Sequence, residues 1–594
     1  MGAVTTLLSS GEYLVRPADR MKGGLNDWSL TRRDFENRRR LLRLLDLISD
    51  PRVTTAAHAT RVAAAATLLA APSSARRSRL AANSILASTT ALLYPRHRYG
   101  TDGSDQVSLV VQTASALARM DQRRPRTVDA CLWFVALQSA LSYTASGYAK
   151  LVSHTWRSGQ AIPGILRTRS YGDQATWEFL RRHPRSSKVL GHGVLALECT
   201  FPVVLLSRGR LAPAYIGSAA AFHLVNGRVM GLGRFLWSFV AMHPALLYVS
   251  APRSRGTVTA GGEAGRDDVM PVLSGALLAG ALAAGLAGQR HRCRIVDRGR
   301  GDEISVQTTS GNRLVYRRTG PADATGPVIV LEAGMLSTAE TYEWVAADLA
   351  ARRTTVTYRR AGYAGSGYGA GPYDLDVSVR DLVDLVRHAA GNRPVVLAGH
   401  SLGGYLIWLA ANRLPGQVTG VCLLDSSHPA ELQRSAKQAQ SAERLESALA
   451  TVAATLRLGA GSIVQRQPWI EELPAEVRGL AHAQYCDHRT WLTARREWRE
   501  VQRHFQSYAG TLPHLDVPAL VCTAEETMRN DPVQRELHDE FAKLALVAES
   551  HVIENVDHMQ IVTNQKAAAE VSGLIHSFVD ALPAFTGAAE GNQK

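Results

Sequence analysis

The chain has 594 residues, a formal net charge of +15 and a pI of about 9.7. This length exceeds what one hydrophobic core usually serves, so we predict at least two domains. The positive charge could indicate nucleic-acid binding, but no basic stripe with interleaved aromatic residues is visible, so we expect no nucleic-acid partner. The six cysteines have neither disulfide nor metal-ligand spacing, which predicts reduced thiols and no metal site.

The amino-terminal half is much more apolar than the rest. Residues from about 53 to 288 are rich in Ala and Leu, so the mean hydropathy of −0.09 averages two unlike halves. The long apolar runs predict an all-α, polytopic membrane domain of six to eight helices, although buried helices of a soluble protein would have a similar composition. The candidate spans are 53–71, 80–94, 107–117, 130–145, 189–206, 211–229, 235–249 and 270–288.

Basic segments flank this apolar region. Residues 1–52 are rich in Arg, and a second basic segment, 290–303, follows the last apolar run. Positive charge is retained on the cytoplasmic side of a membrane, and an even number of spans would place both segments there. We therefore expect an integral protein of the plasma membrane, with everything after residue 290 on the cytoplasmic side.

Two passages in the apolar half resemble a known membrane domain. Residues 143–151 read Tyr-Thr-Ala-Ser-Gly-Tyr-Ala-Lys-Leu, and residues 222–233 read Phe-His-Leu-Val-Asn-Gly-Arg-Val-Met-Gly-Leu-Gly. Over about residues 50–250 the chain resembles the HTTM family, to which vitamin K-dependent gamma-carboxylase belongs. The resemblance implies that Lys150 matches a lysine that acts as a base toward a quinol. The alternative is a lysine at a helix end whose charge reaches the membrane interface.

The carboxyl-terminal half alternates strands with helices. In chain order we predict a hairpin of strands 304–308 and 314–318, a buried strand 327–332, a helix 339–351 and a strand 354–359. A strand ending before Ser401 follows, and then strands 418–424, 518–523 and 551–556. Strands separated by helices favour a mostly parallel sheet covered on both faces.

One of these strands runs into a nucleophile motif. Residues 395–405 read Val-Val-Leu-Ala-Gly-His-Ser-Leu-Gly-Gly-Tyr, which places Gly-x-Ser-x-Gly between an apolar strand and a helix. A nucleophilic serine needs a tight strand-to-helix turn, and Gly399 and Gly403 remove side chains that would clash there. Ser401 is therefore the predicted nucleophile.

Residues from about 304 to 584 resemble the α/β-hydrolase family. Besides the motif around Ser401, they contain Leu-Glu-Ala-Gly-Met at 331–335 and Tyr-Arg-Arg-Ala-Gly-Tyr-Ala-Gly-Ser at 358–366. Many members of the family have Asp where this chain has Arg359. The resemblance implies a serine acyl-enzyme mechanism and a catalytic order of serine, acid and histidine.

A nucleophilic serine needs a base, and the base needs an orienting acid. His558 follows the last predicted strand, where the family's histidine lies, and is our predicted base. Asp425 closes strand 418–424 and is the favoured acid, with Glu526 as the alternative. The other histidines considered for the base are His400, His428 and His551.

Two further elements complete the predicted site. The oxyanion hole should use the backbone N–H groups of Leu402, after the nucleophile, and of Met335, after Gly334. An insertion at about 428–515 is helical and contains scattered tryptophans, so it could form a cap over the serine or an ordinary helical subdomain.

The sequence thus predicts five segments: a basic cytoplasmic segment 1–52, an HTTM-like domain 53–289, a basic linker 290–303, an α/β-hydrolase domain 304–585 and a tail 586–594. The predicted function is a membrane-anchored serine hydrolase that cleaves an ester, amide or thioester of a small-molecule or lipid-like acyl substrate without a cofactor. The alternative is a quinone- or lipid-linked membrane enzyme with an accessory hydrolase domain. The sequence does not set the oligomeric state.

Overall fold

A computed structural model of the chain describes residues 1–21, 23–24, 26–35, 39–97, 101–251, 266–369, 371 and 373–583. The predicted tail 586–594 lies outside these residues. The chain divides into two units, Met1–Leu278 and Ala279–Lys594.

The amino-terminal unit is built from helices, because its Ala- and Leu-rich sequence has good helix formers between short breaks. Asp50, Asp102 and Asp173 accept hydrogen bonds from the first backbone N–H groups of three of them. The helices in the described part of this unit are α1 Gly2–Val15, α2 Trp28–Thr31, α3 Arg39–Ser49, α4 Pro51–Ala70, α5 Arg76–Leu93, α6 Gly103–Met120, α7 Pro125–Val152, α8 His154–Arg157, α9 Ala161–Leu166, α10 Gln174–Arg182, α11 Pro184–Cys199, α12 Val203–Leu206, α13 Ala212–Val229, α14 Gly233–Val240 and α15 His243–Ser250.

Several of these helices pack polar side chains against one another. Arg61 on α4 is buried and donates to Ser10 Oγ at 2.9 Å and to Thr90 Oγ1 at 2.7 Å. Asn83 on α5 donates to Gln112 on α6. Such residues make α4, α5 and α6 less apolar than their alanine and leucine content alone indicates.

Helix α16, Val269–Arg298, extends across the boundary between the two units. Of the described helices it alone combines the length and apolar composition needed to cross a membrane, and its most apolar stretch is not buried. The identification of α16 as a candidate span rests on its length and composition alone. The described residues thus provide one candidate span, and the polytopic domain of six to eight spans stays a prediction.

A single eight-stranded sheet organises the carboxyl-terminal unit. Its spatial order is β1-β2-β4-β3-β5-β6-β7-β8. Strands β3 to β8 pair in parallel, whereas β1 and β2 are antiparallel to their neighbours, so the predicted mostly parallel sheet is confirmed. The strands are β1 Ile304–Gln307, β2 Arg313–Thr319, β3 Val328–Glu332, β4 Thr355–Arg359, β5 Val395–His400, β6 Val418–Leu424, β7 Ala519–Ala524 and β8 Ala548–Ile553.

Helices cover both faces of this sheet. The remaining helices are α17 Glu343–Ala350, α18 Leu375–Ala390, α19 Leu402–Ala411, α20 Glu431–Arg434, α21 Ala436–Arg457, α22 Pro468–Glu472, α23 Ala475–Tyr485, α24 His488–Ser507, α25 Glu525–Asn530, α26 Val533–Leu544, α27 Gln560–Thr563 and α28 Gln565–Ala581. One core contains residues of α17 and α28, and the other contains residues of α18, α19 and α24. Each fully buried Val or Leu of these strands contributes roughly 1.5–3 kcal/mol to stability.

The chain between β6 and β7 contains α20 to α24, which we call the helical insertion (residues 431–507). Most of the predicted strands agree with the structure to within one residue at each end, and two elements differ by more. The predicted helix 339–351 is a 3-10 turn at Ala339–Tyr342 followed by α17. Strand β8 begins and ends three residues earlier than predicted, because the backbone of Asn555 has a φ of 58° and cannot continue an extended strand.

Candidate active site

Ser401 lies in a strained turn between β5 and α19. Its backbone has φ 54° and ψ −127°, a conformation that favours glycine. A Cβ atom on Gly399 would lie 2.5 Å from the carbonyl oxygen of Gly403, and one on Gly403 would lie 2.5 Å from that of Glu332. Only glycine fits at either position, so the spacing of the motif follows from the crowding of this turn.

His558 and Asp425 form a hydrogen-bonded pair. His558 Nδ1 lies 2.6 Å from Asp425 Oδ2, although the two residues are 133 positions apart in the chain. Asp425 directly follows β6, and His558 lies in the loop after β8. Since a carboxylate only accepts, Nδ1 carries the proton and Nε2 is left as the basic nitrogen.

Two more groups hold the Asp425 carboxylate. Oδ1 accepts the backbone N–H of Ala524 at 3.0 Å, and Oδ2 accepts the Thr527 hydroxyl at 2.6 Å. Burial would raise the pKa of Asp425, but the hydrogen bond to His558, the charge of that histidine and the Thr527 hydroxyl lower the pKa to about 2. The Thr527 hydroxyl thus donates to the same carboxylate oxygen that contacts His558.

The alternative candidates are not bonded to the His558 ring, although Glu526 lines the same cavity as Ser401. Glu526 forms an ion pair with Arg529 at 2.6 Å, with a large part of its side chain exposed. His400 is buried, and its Nε2–H donates to the carbonyl oxygen of His558 at 2.7 Å. His428 accepts a backbone N–H two residues ahead, and His551 lies within β8 beside Glu549. Among the candidates considered, only Asp425 contacts the His558 ring nitrogen.

Ser401, Asp425 and His558 line one cavity of about 430 Å³. The structure records no hydrogen bond between Ser401 Oγ and His558 in the described part of the chain, and such bonds are often long before substrate binds. Met335 and residues of the helical insertion also line the cavity, and many of the side chains are polar. Its polar lining includes Ser427, Glu431, Gln438, Ser441, Asn530 and Asp531.

The two predicted oxyanion donors belong to residues near the serine. Leu402 is the first residue of α19, so its N–H has no acceptor within the helix. Met335 lines the cavity, and the preceding Gly334 lies so close to Ser401 that an added Cβ would be 3.0 Å from the serine Cβ. Both N–H groups therefore belong to residues that adjoin the Ser401 side chain.

Charge around His558 adjusts its basicity. Burial would lower the pKa of His558, but the hydrogen bond to Asp425 and the negative charges of Asp425, Glu431 and Asp557 raise it above the ordinary value. Glu431 lines the same cavity, and burial raises its own pKa to about 7. Glu431 was not among the predicted site residues, because no short motif connects it to Ser401.

His538, which is also absent from the predicted site residues, contacts the residue next to Asp425. Its Nδ1 is 2.8 Å from Thr523 Oγ1, and its Nε2 is 2.8 Å from the carbonyl oxygen of Ser426. His538 thus ties the end of β7 to the residue that follows Asp425.

Comparison with known proteins agrees with this architecture. Residues 329–571 match the alpha/beta hydrolase family. The carboxyl-terminal unit has the α/β-hydrolase fold. An uncharacterised protein of Bacillus subtilis strain 168, YqjL, is 31% identical over 102 residues, which are 17% of this chain and 40% of that protein. The comparisons give no support to the HTTM resemblance, which stays a prediction.

Solved structures are similar to this hydrolase unit at low identity. A thermophilic esterase from Thermogutta terrifontis is 19% identical, with 47% of this chain and 98% of that chain covered and a TM-score of 0.37. The Cif epoxide hydrolase from Acinetobacter nosocomialis is 16% identical, with 49% and 96% covered and a TM-score of 0.40. The esterase RhEst1 from Rhodococcus sp. ECU1013 is 17% identical, with 48% and 100% covered and a TM-score of 0.35.

The hydrolase unit also brings three potential metal ligands together, although the sequence predicted no metal site. Ligand atoms of Cys293, Asp487 and His488 lie within 4.8 Å of one another. The Asp487 carboxylate already accepts from Arg489 Nε at 2.8 Å and Nη2 at 2.6 Å. Since its charge is paired, we assign no metal to this group.

Lys150, the candidate in the amino-terminal unit, is held by a buried acid. Its Nζ lies 2.6 Å from both carboxylate oxygens of Glu198 and 2.6 Å from Ser146 Oγ. The side chain of Glu198 is 3% exposed and that of Lys150 is 22% exposed. Lys150 is therefore a partly buried member of an ion pair whose acid is buried.

A cavity of about 700 Å³ lies beside this ion pair, within the amino-terminal unit. Its walls are mostly aliphatic and aromatic. Polar groups come from Lys150, Glu198, and the hydrogen-bonded pair Tyr143 and His223, whose Oη and Nε2 are 2.8 Å apart. His223 is not among the predicted site residues, although it lies in one of the two passages that resemble the HTTM family.

Replacing Asp425 tests the choice of acid. Asp425→Asn should lower kcat by roughly 10³- to 10⁴-fold, because the amide can donate to Nδ1 and so stabilises the wrong tautomer of His558. Glu526→Gln, the matched control, should change kcat by less than about threefold, since Glu526 contacts Arg529 and not the histidine. Steady-state hydrolysis of a chromogenic ester measures both, and a larger loss in the Glu526 variant would reverse the assignment.

The raised pKa of His558 determines how kcat/KM should depend on pH. Only neutral His558 can accept the Ser401 proton, so kcat/KM should rise with pH along an acid limb whose midpoint lies above the ordinary histidine value of about 6.5. Glu431→Gln removes a carboxyl group that is partly ionised near pH 7, which lowers the pKa of His558 and should move the midpoint to lower pH. A midpoint that stays in place or moves upward would contradict the role given to Glu431.

Proposed function

We propose that this protein is a serine hydrolase that cleaves an ester, amide or thioester through a covalent acyl-enzyme. The observation that carries the proposal is the shared cavity: Ser401, in its strained turn, and His558, already bonded to Asp425, line the same 430 Å³ space. Nucleophile, base and orienting acid are the three parts that acyl transfer by serine requires.

In the first step, Ser401 Oγ attacks the carbonyl carbon of the substrate while His558 Nε2 takes the hydroxyl proton. Asp425 keeps the other ring nitrogen protonated and stabilises the imidazolium that forms. The raised pKa of His558 makes it a stronger base for this transfer. When the tetrahedral intermediate collapses, the carbon–heteroatom bond breaks and His558 returns the proton to the leaving group.

Deacylation repeats these roles with water in place of serine. His558 takes a proton from the attacking water, the acyl–serine bond breaks, and Ser401 Oγ recovers its proton. In both steps the negative charge on the former carbonyl oxygen is stabilised by the N–H groups of Met335 and Leu402.

We assign the role of a cap to the helical insertion. Its residues Gln438, Ser441 and Trp498 line the cavity together with Ser401. A cavity of this volume accommodates a small-molecule or lipid-like acyl group, and its polar lining favours substrates with additional hydrogen-bonding groups.

We further propose that the protein is integral to the plasma membrane, with the hydrolase unit on the cytoplasmic side. The support is helix α16, which is long, apolar and exposed, and the arginines Arg290, Arg292 and Arg294 that follow its apolar part. Membranes washed with alkaline carbonate should retain the full-length chain. Release into the wash without detergent would contradict the anchor.

A second candidate function concerns the amino-terminal cavity. Its mostly apolar walls and the polar side chains of Lys150, Glu198, Tyr143 and His223 would suit a quinone or a lipid whose head group exchanges hydrogen bonds with them. In this alternative the membrane unit is the primary catalyst, Lys150 acts as its base, and the hydrolase unit is accessory.

Removing the nucleophile tests the main proposal. Ser401→Ala should abolish labelling by a fluorophosphonate probe and lower ester hydrolysis by roughly 10³-fold or more, with expression unchanged. Wild-type protein in the same membranes provides the reference for labelling. Hydrolysis of short acyl esters at the wild-type rate by the alanine variant would exclude Ser401 as the nucleophile.

Filling the amino-terminal cavity tests the second candidate. Gly193 lines the cavity and has open space around its Cα, so Gly193→Phe should occupy the space without clashing with the backbone. We expect wild-type protein, but not this variant, to gain thermal stability when a short-chain quinone is added. Gly217→Phe, at an equally open glycine that does not line the cavity, is the control and should respond like wild type. Equal stabilisation of all three proteins would count against a quinone site there.

A further inference from the structure

The buried guanidinium of Arg360 uses all five of its N–H donors. Nε and one Nη2 hydrogen donate to the two carboxylate oxygens of Glu497, at 2.7 and 3.1 Å. The other Nη2 hydrogen donates to the carbonyl oxygen of Gly334 at 2.9 Å. Nη1 donates to Glu332 Oε1 at 2.7 Å and to the carbonyl oxygen of Ala333. A guanidinium has no further donors, so this group is fully committed to its protein partners.

One of these partners fixes the direction of an oxyanion donor. The carbonyl of Gly334 and the N–H of Met335 belong to the same peptide unit, and in a trans peptide they point in opposite directions. Arg360 holds the carbonyl oxygen from one side. The Met335 N–H must then point to the other side, and Gly334 lies against Ser401.

The next residue of the same loop is also held in place. The backbone N–H of Leu336 donates to the Tyr363 hydroxyl at 3.2 Å, and that hydroxyl donates to Glu497 Oε2 at 2.6 Å. Glu497 lies on α24 of the helical insertion, and its side chain is 1% exposed. The loop of residues 333–336, which we call the oxyanion loop, is therefore connected to the helical insertion through Arg360 and through Tyr363.

The charges of Glu497 and Glu332 keep the Arg360 guanidinium protonated and paired. Burial would lower the pKa of Arg360, but the charges of Glu497 and Glu332 raise it, so the guanidinium stays charged at any physiological pH. Removing Glu497 would leave Glu332 as the one carboxylate partner of this buried cation and would leave Nε and one Nη2 hydrogen of Arg360 without their acceptors.

We propose that Arg360 is the positioning residue of the oxyanion hole, and that Glu497 makes the alignment of this hole depend on the position of the helical insertion. The inference rests on the proposed serine hydrolase function and adds a regulatory element to it. Displacement of the insertion would withdraw Glu497 from Arg360, release the Gly334 carbonyl and let the Met335 N–H turn away from the developing oxyanion.

The chain provides a matched control in the neighbouring arginine. Arg359 is also buried and also pairs with two carboxylates, those of Glu303 and Glu340, but it donates to no carbonyl of the oxyanion loop. Substituting Lys at either position keeps the charge and loses the planar fork of donors. Both variants therefore lose comparable ion-pair geometry, and only Arg360→Lys disturbs the hole.

The test compares an ester with its thionoester, in which sulfur replaces the carbonyl oxygen. Sulfur is larger and accepts weaker hydrogen bonds, so the ratio of kcat for ester over thionoester reports how well the hole is aligned. Arg360→Lys should lower kcat for the ester by roughly 10²-fold with KM nearly unchanged, and should lower the ratio by about tenfold. Arg359→Lys should keep the wild-type ratio, whatever its effect on stability.

Two additional measurements keep the result interpretable. Glu497→Gln keeps one acceptor oxygen for Arg360, so its ratio of kcat for ester over thionoester should lie between those of wild type and Arg360→Lys. If Arg360→Lys does not fold, Glu497→Gln takes its place in the comparison with wild type. Fluorophosphonate labelling of wild-type Ser401 reports on the proposed function itself, so absence of labelling refutes that function. Labelling accompanied by an unchanged ratio in the folded variants, or by an equal fall in Arg359→Lys, overturns the role of Arg360 alone.

Discussion

The candidate site depends on the way that parallel strands end at a common edge. Ser401 and Asp425 are the residues immediately after β5 and β6, and they extend the hydrogen-bond ladder of the sheet. The N–H of Ser401 donates to the carbonyl of Leu424 at 3.1 Å, and that of Asp425 donates to the carbonyl of Cys522 at 2.7 Å. Because these backbones belong to the ladder, neither residue can move without disrupting strand pairing. The packed sheet thereby sets the positions of Ser401 and Asp425.

The other parts of the site come from loops, and polar contacts fix them. His558 is held through its ring by Asp425 and through its backbone carbonyl by His400. The oxyanion loop is held by Arg360 and Tyr363. Strand pairing gives rigidity, whereas side-chain hydrogen bonds can break and form again without disrupting the sheet. Loops supported in this way can combine accurate geometry with access for substrate.

Much of the hydrolase fold could be read from the sequence, because buried parallel strands are continuous apolar runs and the turn at Ser401 has a glycine requirement. The predicted bounds of β8 are three residues too late, because this strand lies at the sheet edge, is largely exposed and has no hydrophobic pattern to locate it. The contact of Arg360 with Glu497, 137 residues apart, has no local signal at all. In the amino-terminal unit the abundance of alanine and leucine indicated helices correctly, but composition alone does not separate a lipid-facing helix from one that buries polar partners such as Arg61.

The backbone conformations at the site have a consequence for how this protein can change over evolutionary time. Leu336, Ser401 and Asp425 all have positive φ values, of 61°, 54° and 46°, where glycine would be relaxed. Each such residue reduces the free energy of unfolding by roughly 1–3 kcal/mol. Glycine in place of Ser401 or Asp425 would relieve this strain but would remove the hydroxyl or the carboxylate on which the proposed reaction depends. Stability and the proposed reaction therefore make opposite demands on these two positions.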